Sequence, residues 1–528
     1  MQLRGKVIRF AGTGLLLSAL TARGQMIDNT QAPSTARAGI NKSLLDEIGA
    51  GRGDVNTTGS SVYIINRDPF RSIRRGRQLF QRKFTRLQGQ GANERDGVGD
   101  INTDLAIGAG LSDSCALCHG RPRGSAGAGG NVVTRPDSRD AGHLFGLGLK
   151  EMLADEMTTD LRSTRDLAIT LAQQMKRPIT LKLISKGVKY GSITGNPDGS
   201  VDTSKVQGVD ADLRVKPFFA EGSTISVREF IVGALHNEMG LEASADPDLL
   251  TASAGGRVVT PSGMVLDGSK DKVSAPPAPD ADNGNEIDPA IVDHLEFYLL
   301  NYFKPGHGQP SATADRGRKV FNRIGCASCH VTDLTINHDR RVADLETVSD
   351  PTRACAPPLQ TCFFNSLFAT AIPLYQEVDD GSGQPHLKIP LGNSFVVKDI
   401  LTDLKRHDVG ANFYERNWDG STQKQFLTRA LWGIGSTGPY GHDGRSMTLH
   451  DVTLRHGGEA QASRDKYAGL PSGEQVALQT FLNSLVLFPP DDTASSLDPG
   501  DHTKDGFPQF GHGSIKLTVL FNNPADPE

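Results

Sequence analysis

Apolar residues recur at intervals of three and four positions in several separate stretches of the chain, a spacing that is typical of helices with one buried face. Between them lie segments rich in Gly, Asp, Ser and Pro, which predict loops and turns. The pattern predicts helices over 144–161, 227–239, 289–303 and 473–487, a hairpin within 190–225, a linker over 244–288 and a strand over 515–521. The helix over 289–303 would end at Lys304-Pro305-Gly306, because proline cannot continue a helix.

A short motif occurs twice within this pattern. Gly76-Arg77-Gln78-Leu79-Phe80 and Gly317-Arg318-Lys319-Val320-Phe321 each place an apolar pair shortly after a glycine and an arginine. An amphipathic helix would direct this pair to a buried face. Self-similarity of this kind indicates two related units in tandem.

Each copy of the motif is followed by a Cys-x-x-Cys-His sequence, Cys115-Ala116-Leu117-Cys118-His119 and Cys326-Ala327-Ser328-Cys329-His330. Cysteines at this spacing form two thioether bonds to a haem, and the adjacent histidine reaches the iron. A zinc or dithiol site would need a further ligand pair for each unit, and only one cysteine pair remains in the chain. The sequence therefore predicts two covalently bound haem c groups, with His119 and His330 as iron ligands.

The remaining cysteines are Cys355 and Cys362, on either side of Ala-Pro-Pro-Leu-Gln-Thr. In an oxidising compartment they would form a disulfide that closes a small loop. Two free thiols are the alternative.

The first residues have the pattern of a secretory signal. Arg4, Lys6 and Arg9 precede an apolar stretch, 10–22, that is too short to span a bilayer, and small residues follow at the position that a signal peptidase reads. We therefore expect cleavage near Gly24 and a periplasmic or secreted location; a buried N-terminal helix is the alternative. No later apolar run is long enough for a transmembrane anchor, and the mildly acidic net charge of -5, without a basic stripe, argues against nucleic-acid binding.

Together these features predict a mainly α fold, with two tandem cytochrome c-type haem domains, long loops and a few short strands. The expected divisions are a signal peptide over 1–24, an extended arm over 25–65, haem domains over 66–310 and 311–490, and a tail over 491–528.

Three short motifs follow one another in the C-terminal unit, Pro439-Tyr440-Gly441-His442-Asp443-Gly444-Arg445, Thr448-Leu449 and Arg455-His456-Gly457-Gly458-Glu459. This series resembles the ending of the bacterial di-haem cytochrome c peroxidases and their MauG-like relatives. There, a helix after Thr-Leu carries the second axial ligand of the C-terminal haem. The resemblance implies His456 as that ligand, with His450 as its competitor and a surface helix cap as the structural alternative. His330 and His456 together would make a low-spin haem suited to electron transfer.

A second resemblance covers residues 139–152, which are similar to the distal segment of the same group. Glu151-Met152 falls where the peroxidases carry a distal Glu in a Glu-Met pair, which implies Glu151 as an acid/base for peroxide cleavage. A solvated helix glutamate is the alternative. His143 could be a sixth ligand, a distal hydrogen-bond donor or a packing residue, and His236, in a further matching segment, has a similar range of roles.

Two other matches carry less information. His442 occupies a position with a hydrogen-bonding or structural role in the superfamily, and His407 lies in a matching motif without an assigned role. The chain departs from the peroxidases in one respect, since no tryptophan lies between His119 and Glu151, where they carry a residue that bridges the haems. Trp418 and Trp432 both lie in the C-terminal half.

The chain looks closest to the large di-haem oxidoreductase group, to which the rubber oxygenases are related. The resemblance implies an exported peroxidase-type enzyme in which hydrogen peroxide reacts at the first haem and electrons arrive through the second from a small periplasmic electron-transfer protein. One alternative is a dioxygen-dependent oxygenase acting on an apolar or protein substrate. Another is a non-catalytic electron carrier, in which His143, Met152 or Met157 would ligate the first iron.

Overall fold

The structure is a computed structural model that describes residues 44–85, 88–91, 112–119, 139–278, 286–301, 311–349, 367–417 and 419–487. Several sequence predictions lie outside these residues, namely the signal peptide, the Cys355/Cys362 disulfide, Trp418 and the strand over 515–521.

Helices form the framework of the described residues. In chain order they are α1 (Leu44–Ile48), α2 (Ser61–Arg67), α3 (Pro69–Gln81), α4 (Cys115–His119), α5 (Leu147–Met175), α6 (Val227–Met239), α7 (Pro247–Ser253), α8 (Pro289–Leu300), α9 (Ala312–Ile324), α10 (Leu449–Arg455), α11 (Gln461–Ala468) and α12 (Ser472–Asn483).

Short strands lie between these helices along the chain. They are β1 (Ile179–Ser185), β2 (Val188–Gly195), β3 (Val201–Asp202), β4 (Arg257–Val259), β5 (Val265–Asp267), β6 (Leu334–Ile336), β7 (Ala343–Ser349), β8 (Leu367–Pro373), β9 (Tyr375–Val378), β10 (Leu387–Pro390), β11 (Phe395–Val397), β12 (Arg406–Asp408), β13 (Glu415–Arg416), β14 (Thr422–Gln423) and β15 (Gln425–Leu427). The first three form one antiparallel sheet; the others pair as β4-β5, β6-β11, β7-β8, β9-β10, β12-β15 and β13-β14.

Two helix pairs with the same contact geometry account for the repeated sequence motif. Helix α3 crosses α8, and helix α9 crosses α12, with a motif glycine at each crossing. A Cβ atom on Gly76 would lie 2.2 Å from the His294 carbonyl oxygen, and one on Gly317 would lie 1.9 Å from that of Ala477. Both distances are far below van der Waals contact, so only glycine allows this approach.

The last residue of each motif reinforces the same crossing. Phe80 meets Tyr298 edge to face with ring centroids 5.9 Å apart, and Phe321 meets Phe481 in the same way at 5.5 Å. Tyr298 lies four residues after His294, just as Phe481 lies four residues after Ala477, so the two contacts occupy equivalent positions one helical turn on. The repeat therefore encodes a helix crossing rather than an isolated helix.

A buried ion-pair network fixes α6 to α8. Arg228 donates to Asp246 Oδ1 at 3.0 Å, Asp293 Oδ1 at 3.0 Å and Glu296 Oε2 at 2.7 Å, and all four side chains are buried. Several carboxylates around one guanidinium offset the cost of removing these charges from water. This network holds α6 in place as one wall of the cavity described below.

The predicted elements agree with the structure in part. Helix α6 has the predicted bounds, and α8 ends at Leu300, shortly before the predicted end. Helix α5 continues well past Leu161, because the β1-β2 hairpin covers Ala168 and Ala172 on its otherwise largely exposed second half. The predicted linker over 244–288 contains α7 and the β4-β5 hairpin.

The fold class is confirmed only in its coarse form, since a helical framework is present but paired strands are more numerous than the few that were expected. Strands such as β13 and β14 span two residues each, too short for a periodicity in the sequence to indicate them. No helix among the described residues combines the length and apolar character needed to cross a bilayer.

The helix crossings can be tested by adding one methyl group. We expect Gly76→Ala and Gly317→Ala each to lower the free energy of unfolding by about 2 to 3 kcal/mol, because the helices must separate to admit the Cβ atom. Chemical denaturation of the purified protein measures this loss. Gly473→Ala is the matched control: it lies in α12 with nothing within 4 Å of its Cβ position, so its stability should be unchanged or slightly raised. Equal effects at the three glycines would contradict the assignment.

Candidate haem sites

One internal cavity connects the two Cys-x-x-Cys-His units. Its volume is about 970 Å³, and all six residues of the two motifs that would attach haem lie along it, Cys115, Cys118, His119, Cys326, Cys329 and His330. Phe80 and Phe321 from the two helix crossings line it as well. The remaining wall is mainly apolar, as expected of a site for a large flat cofactor.

At the first unit, helix α4 presents His119 to the cavity. The ring Nδ1 of His119 donates to the carbonyl oxygen of Gly142 at 2.6 Å. A carbonyl oxygen can only accept, so Nδ1 carries the hydrogen and Nε2 keeps its lone pair. Burial lowers the pKa of His119, which favours this neutral form. The ring is therefore fixed in the tautomer that binds a metal through Nε2.

The second unit has the same arrangement. The Nδ1 of His330 donates to the carbonyl oxygen of Leu401 at 3.0 Å. Burial lowers the pKa of His330 to about 4, and the nearby His456 contributes in the same direction. The Nε2 lone pair of His330 is again available for a metal.

His456 completes a set of three such histidines. It caps the C-terminal end of α10, lines the cavity, and donates from Nδ1 to the Val452 carbonyl oxygen at 2.7 Å. Burial lowers the pKa of His456 too. Its competitor His450 does not line the cavity and is hydrogen-bonded through Nδ1 to the Tyr467 hydroxyl at 2.7 Å. The structure thus places His456, and not His450, with His330.

His407 has a different role. Its Nε2 lies 2.9 Å from Asp403 Oδ2 and its Nδ1 lies 2.7 Å from Glu459 Oε2, so both nitrogens donate to carboxylates. Burial alone would lower the pKa of His407, but the hydrogen bonds to Asp403 and Cys329 raise it to about 11. A doubly protonated ring has no lone pair for a metal.

The structure gives little support to a site that would bind a metal ion without haem. Within the part of the chain that the structure describes, the one group of potential metal ligands comprises Cys329, Asp403 and His407. No such group is found there around Cys115 and Cys118, where the zinc interpretation would need one.

His442 is placed as a hydrogen-bonding residue. Its Nε2 lies 3.3 Å from Glu415 Oε2, and its ring stacks on Phe426 with centroids 4.1 Å apart. Its backbone carbonyl accepts from the Asp140 N–H at 2.8 Å. His442 therefore links the C-terminal motif to the segment that follows the first unit.

Glu151 does not line the cavity. Its Oε1 accepts from Arg340 Nη2 at 2.6 Å and its Oε2 accepts from the Val227 N–H at 2.6 Å, and the side chain is buried. Burial raises the pKa of Glu151 to about 7, against the opposing effect of Arg340. This placement favours a structural role over the predicted acid/base role, and it also differs from the alternative of a solvated glutamate.

The candidate methionine ligands are placed similarly. The sulfur of Met152 accepts from the Arg340 N–H at 3.2 Å, and that of Met157 accepts from the Tyr190 hydroxyl at 3.7 Å. Both side chains are buried in the core beside α5 and neither lines the cavity.

Sequence reasoning missed the residues of α6 that do face the first unit. His236 lies 3.5 Å from Glu242 and away from the cavity, whereas Asn237, Glu238 and Met239 line it. Burial raises the pKa of Cys118, and the negative charge of Glu238 adds to the shift, so this carboxylate lies near the first motif. Glu238-Met239 is itself a Glu-Met pair, so the signal used to select Glu151 was present here too.

His143 connects the first unit to the C-terminal half. Its Nε2 donates to the Trp432 carbonyl oxygen at 3.0 Å, and its Nδ1 has no hydrogen-bond partner among the described residues. Burial, with further contributions from Arg429 and Lys150, lowers the pKa of His143 to about 3. The Trp432 ring packs on Gly146, where a Cβ atom would lie 2.6 Å from it. The fold thus brings a C-terminal tryptophan to the first unit.

Two cations face the cavity beside His143. Lys150 and Arg429 make no hydrogen bond or ion pair with any described residue, although Lys150 lies 5.8 Å from the Phe218 ring centroid. Burial lowers the pKa of Lys150 to about 8, with Arg429 adding to the effect, and lowers that of Arg429. The charge of Asp140, which lines the same cavity, attracts Arg429, and two cations in a mainly apolar wall would suit an anionic group.

The family comparison agrees with this arrangement. A family model described as "Di-haem oxidoreductase, putative peroxidase" matches residues 368–485, which include Trp432, His442 and His456. The C-terminal unit is thus similar to this family over the matched residues. The resemblance to the di-haem oxidoreductases that was seen in the sequence is confirmed there.

Two solved structures are similar at low levels. A hydrazine synthase from Kuenenia stuttgartiensis shares 13% identity over 91% of this chain and 100% of that chain, with a TM-score of 0.27. A MauG-like protein associated with microbial copper homeostasis shares 14% identity over 57% of this chain and 79% of that chain, with a TM-score of 0.23. Among curated proteins, none matches the chain.

The structural role of Glu151 can be tested by neutralising it. We expect Glu151→Gln to lower the free energy of unfolding by about 2 kcal/mol, because the half-buried Arg340 would lose its nearest carboxylate and keep only Asp155 at 3.6 Å. Denaturation of the purified protein provides the measurement. Glu377→Gln is the control, since this exposed carboxylate should change stability by less than about 0.5 kcal/mol. A Glu151 variant as stable as its control would refute the structural assignment.

Proposed function

We propose that this protein is an exported di-haem c-type oxidoreductase that reduces hydrogen peroxide to water. The observation that carries the proposal is the common state of His119, His330 and His456. Each binds a backbone carbonyl through Nδ1 and presents Nε2 to a single cavity that also contains both cysteine pairs. When bound there, haem iron supplies a one-electron store at each site and a position for peroxide at one of them.

The described residues fit two haem groups. Cys115 and Cys118 would attach the first group, and Cys326 and Cys329 the second. Haem propionates are anionic, and Lys150 and Arg429 line the cavity beside the first motif, where their positive charge would hold them. Asp140 opposes part of this charge at Arg429. Cations in a mainly apolar wall support haem over a metal ion alone.

The two sites differ in a way that suits a division of labour. The second site has His330 and His456, both of which would hold a haem iron there, a ligand set that favours electron transfer. At the first site no described histidine is arranged as His456 is at the second, since His143 donates to the Trp432 carbonyl through Nε2 and keeps only its Nδ1 unbound. Asn237 and Glu238 line that part of the cavity instead. We therefore assign the reaction with peroxide to the first site.

Glu238 is the acid/base in this proposal. Its carboxylate would accept a proton from the oxygen of peroxide nearest the site and deliver it to the departing oxygen, which leaves as water. Complete reduction of one peroxide consumes two electrons and two protons and yields two water molecules. Haem at each of the two sites would supply one of these electrons.

The proposal extends to location and partner. A signal over residues 1–24 would direct the chain to the periplasm or the exterior, where Cys355 and Cys362 would form their disulfide. A small periplasmic electron-transfer protein would supply electrons one at a time. Detection of mature protein starting near Gln25 in a periplasmic fraction tests the export step.

Ligation is tested by electron paramagnetic resonance of the ferric protein. We expect one high-spin and one low-spin haem, with the low-spin signal lost in His456→Ala because a strong axial ligand has been removed. His450→Ala is the matched control and should retain both signals. Two low-spin signals without peroxide reactivity would replace the proposal with an electron carrier, and an unchanged His456→Ala spectrum would refute the ligand assignment.

The acid/base assignment is tested by comparing the two Glu-Met pairs. We expect Glu238→Gln to slow peroxide reduction by about a hundredfold or more per haem-loaded molecule, because the proton transfer is lost. Glu151→Gln should leave this rate near that of the parent protein despite its lower stability. Stopped-flow mixing with peroxide gives both rates. A slow Glu151 variant beside a normal Glu238 variant would reverse the assignment, and dioxygen consumption without peroxide reduction would indicate an oxygenase.

A further inference from the structure

A continuous series of hydrogen bonds joins the two proximal histidines. His119 Nδ1 donates to the Gly142 carbonyl at 2.6 Å, and the next residue, His143, donates from Nε2 to the Trp432 carbonyl at 3.0 Å. The preceding Leu431 N–H donates to the Ile400 carbonyl at 3.2 Å. The next residue, Leu401, accepts from His330 Nδ1 at 3.0 Å. We call this series the histidine bridge; its members are His119, Gly142, His143, Trp432, Leu431, Ile400, Leu401 and His330.

The links between these hydrogen bonds are peptide backbone, except at one point. Gly142 is bonded to His143, Leu431 to Trp432, and Ile400 to Leu401. Between the histidines at its two ends, His143 is the one residue whose side chain forms a link. It joins a segment that follows the first haem motif to a segment of the C-terminal half that lies 289 positions further on.

Close packing holds the bridge in this geometry. The Trp432 ring fills the space over Gly146, where a Cβ atom would lie 2.6 Å from it. Trp432, Ile400 and Leu401 are all buried. Packed surroundings keep the donor-acceptor distances short, and hydrogen bonds in the low-dielectric interior are stronger than those in water.

The two ends of the bridge are the ring nitrogens opposite those that face the cavity. The rings of His119 and His330 would therefore be connected through their carbonyl partners by covalent bonds and hydrogen bonds alone. The peroxidases place a tryptophan between their haems, whereas this chain has none between His119 and Glu151.

We propose that the histidine bridge carries the electron that passes between the two haem sites, with His143 as its side-chain link. The inference rests on the proposed function, which requires such a transfer. One electron leaves the second site, whose iron goes from ferrous to ferric, and arrives at the first, whose iron goes from ferric to ferrous. No bond forms or breaks in this step, and no proton need leave the bridge.

The test uses the full chain with both haems attached, reduced by a short pulse of radiolytic electrons without peroxide. Absorbance then follows how the electron redistributes between the low-spin and high-spin sites. We expect His143→Leu to slow the redistribution by about tenfold, because the link to the Trp432 carbonyl is lost. His143→Gln, whose side-chain amide can donate to the same carbonyl, should restore a rate within about threefold of the parent. His450→Leu, outside the cavity, should leave it unchanged.

Midpoint potentials of both sites, measured by spectroelectrochemistry on each variant, separate a lost link from a changed driving force. A His143→Leu protein that redistributes its electron at the parental rate with unchanged potentials would overturn the proposal. If that variant fails to attach haem, His143→Asn replaces it, since its amide is too short to reach Trp432. A slow Trp432→Phe variant, which keeps the backbone carbonyl, would also overturn the proposal by placing the route in the indole ring.

The outcome is independent of the peroxide assay. Absence of peroxide reduction in the parent, with redistribution that depends on His143, would refute the proposed function and leave the bridge intact. Normal peroxide reduction, together with electron redistribution that does not depend on His143, would support the proposed function and refute the histidine bridge. No redistribution in the parent would overturn the bridge.

Discussion

The close approach of two helices at a glycine is the constraint on which both sites depend. At Gly76 and at Gly317 a neighbouring backbone carbonyl occupies the space that any side chain would need. The approach sets Phe80 and Phe321 against aromatic residues of the partner helices and leaves both phenylalanines along the cavity wall. Any widening of either crossing would therefore move the wall against which a haem would pack. The shape of the cofactor sites therefore depends on how closely these helices pack.

Backbone carbonyls do more than pair secondary structure in this molecule. Gly142, Leu401 and Val452 each accept the Nδ1 hydrogen of a histidine that faces the cavity. This contact fixes the tautomer and the ring direction before any metal arrives. The same hydrogen bonding separates these three histidines from the other candidates for an iron ligand. Both ring nitrogens of His407 are hydrogen-bonded to carboxylates, and Nδ1 of His450 is hydrogen-bonded to a tyrosine hydroxyl outside the cavity.

Local motifs in the sequence predicted the residues that could bind haem, but not how distant segments of the chain pack together. The Cys-x-x-Cys-His units were predicted from their short-range spacing, His456 from the resemblance of its motif to the di-haem peroxidases, and α6 from its regular apolar period. Glu151 was selected because its segment resembles the distal segment of that group. Glu238-Met239 has the same dipeptide, and only the direction of α5 and α6 relative to the cavity separates the two glutamates. The contact between His143 and Trp432 could not be predicted, since nothing local relates residues so far apart. The length of α5 depended on a hairpin that covers it.

Lys150 and Arg429 have a consequence for how the protein is made. Without an anionic cofactor, the positive charges of Lys150 and Arg429 face the cavity with Asp140 as the carboxylate that opposes them at Arg429, and desolvation lowers the pKa of both cations. Attachment of haem would offset this cost of desolvation, so binding of the cofactor adds directly to the stability of the folded state. The polypeptide that awaits its haem would then be the less stable species, and proteases would remove it in preference to the finished protein. Maturation would thereby act as a quality control built into two side chains.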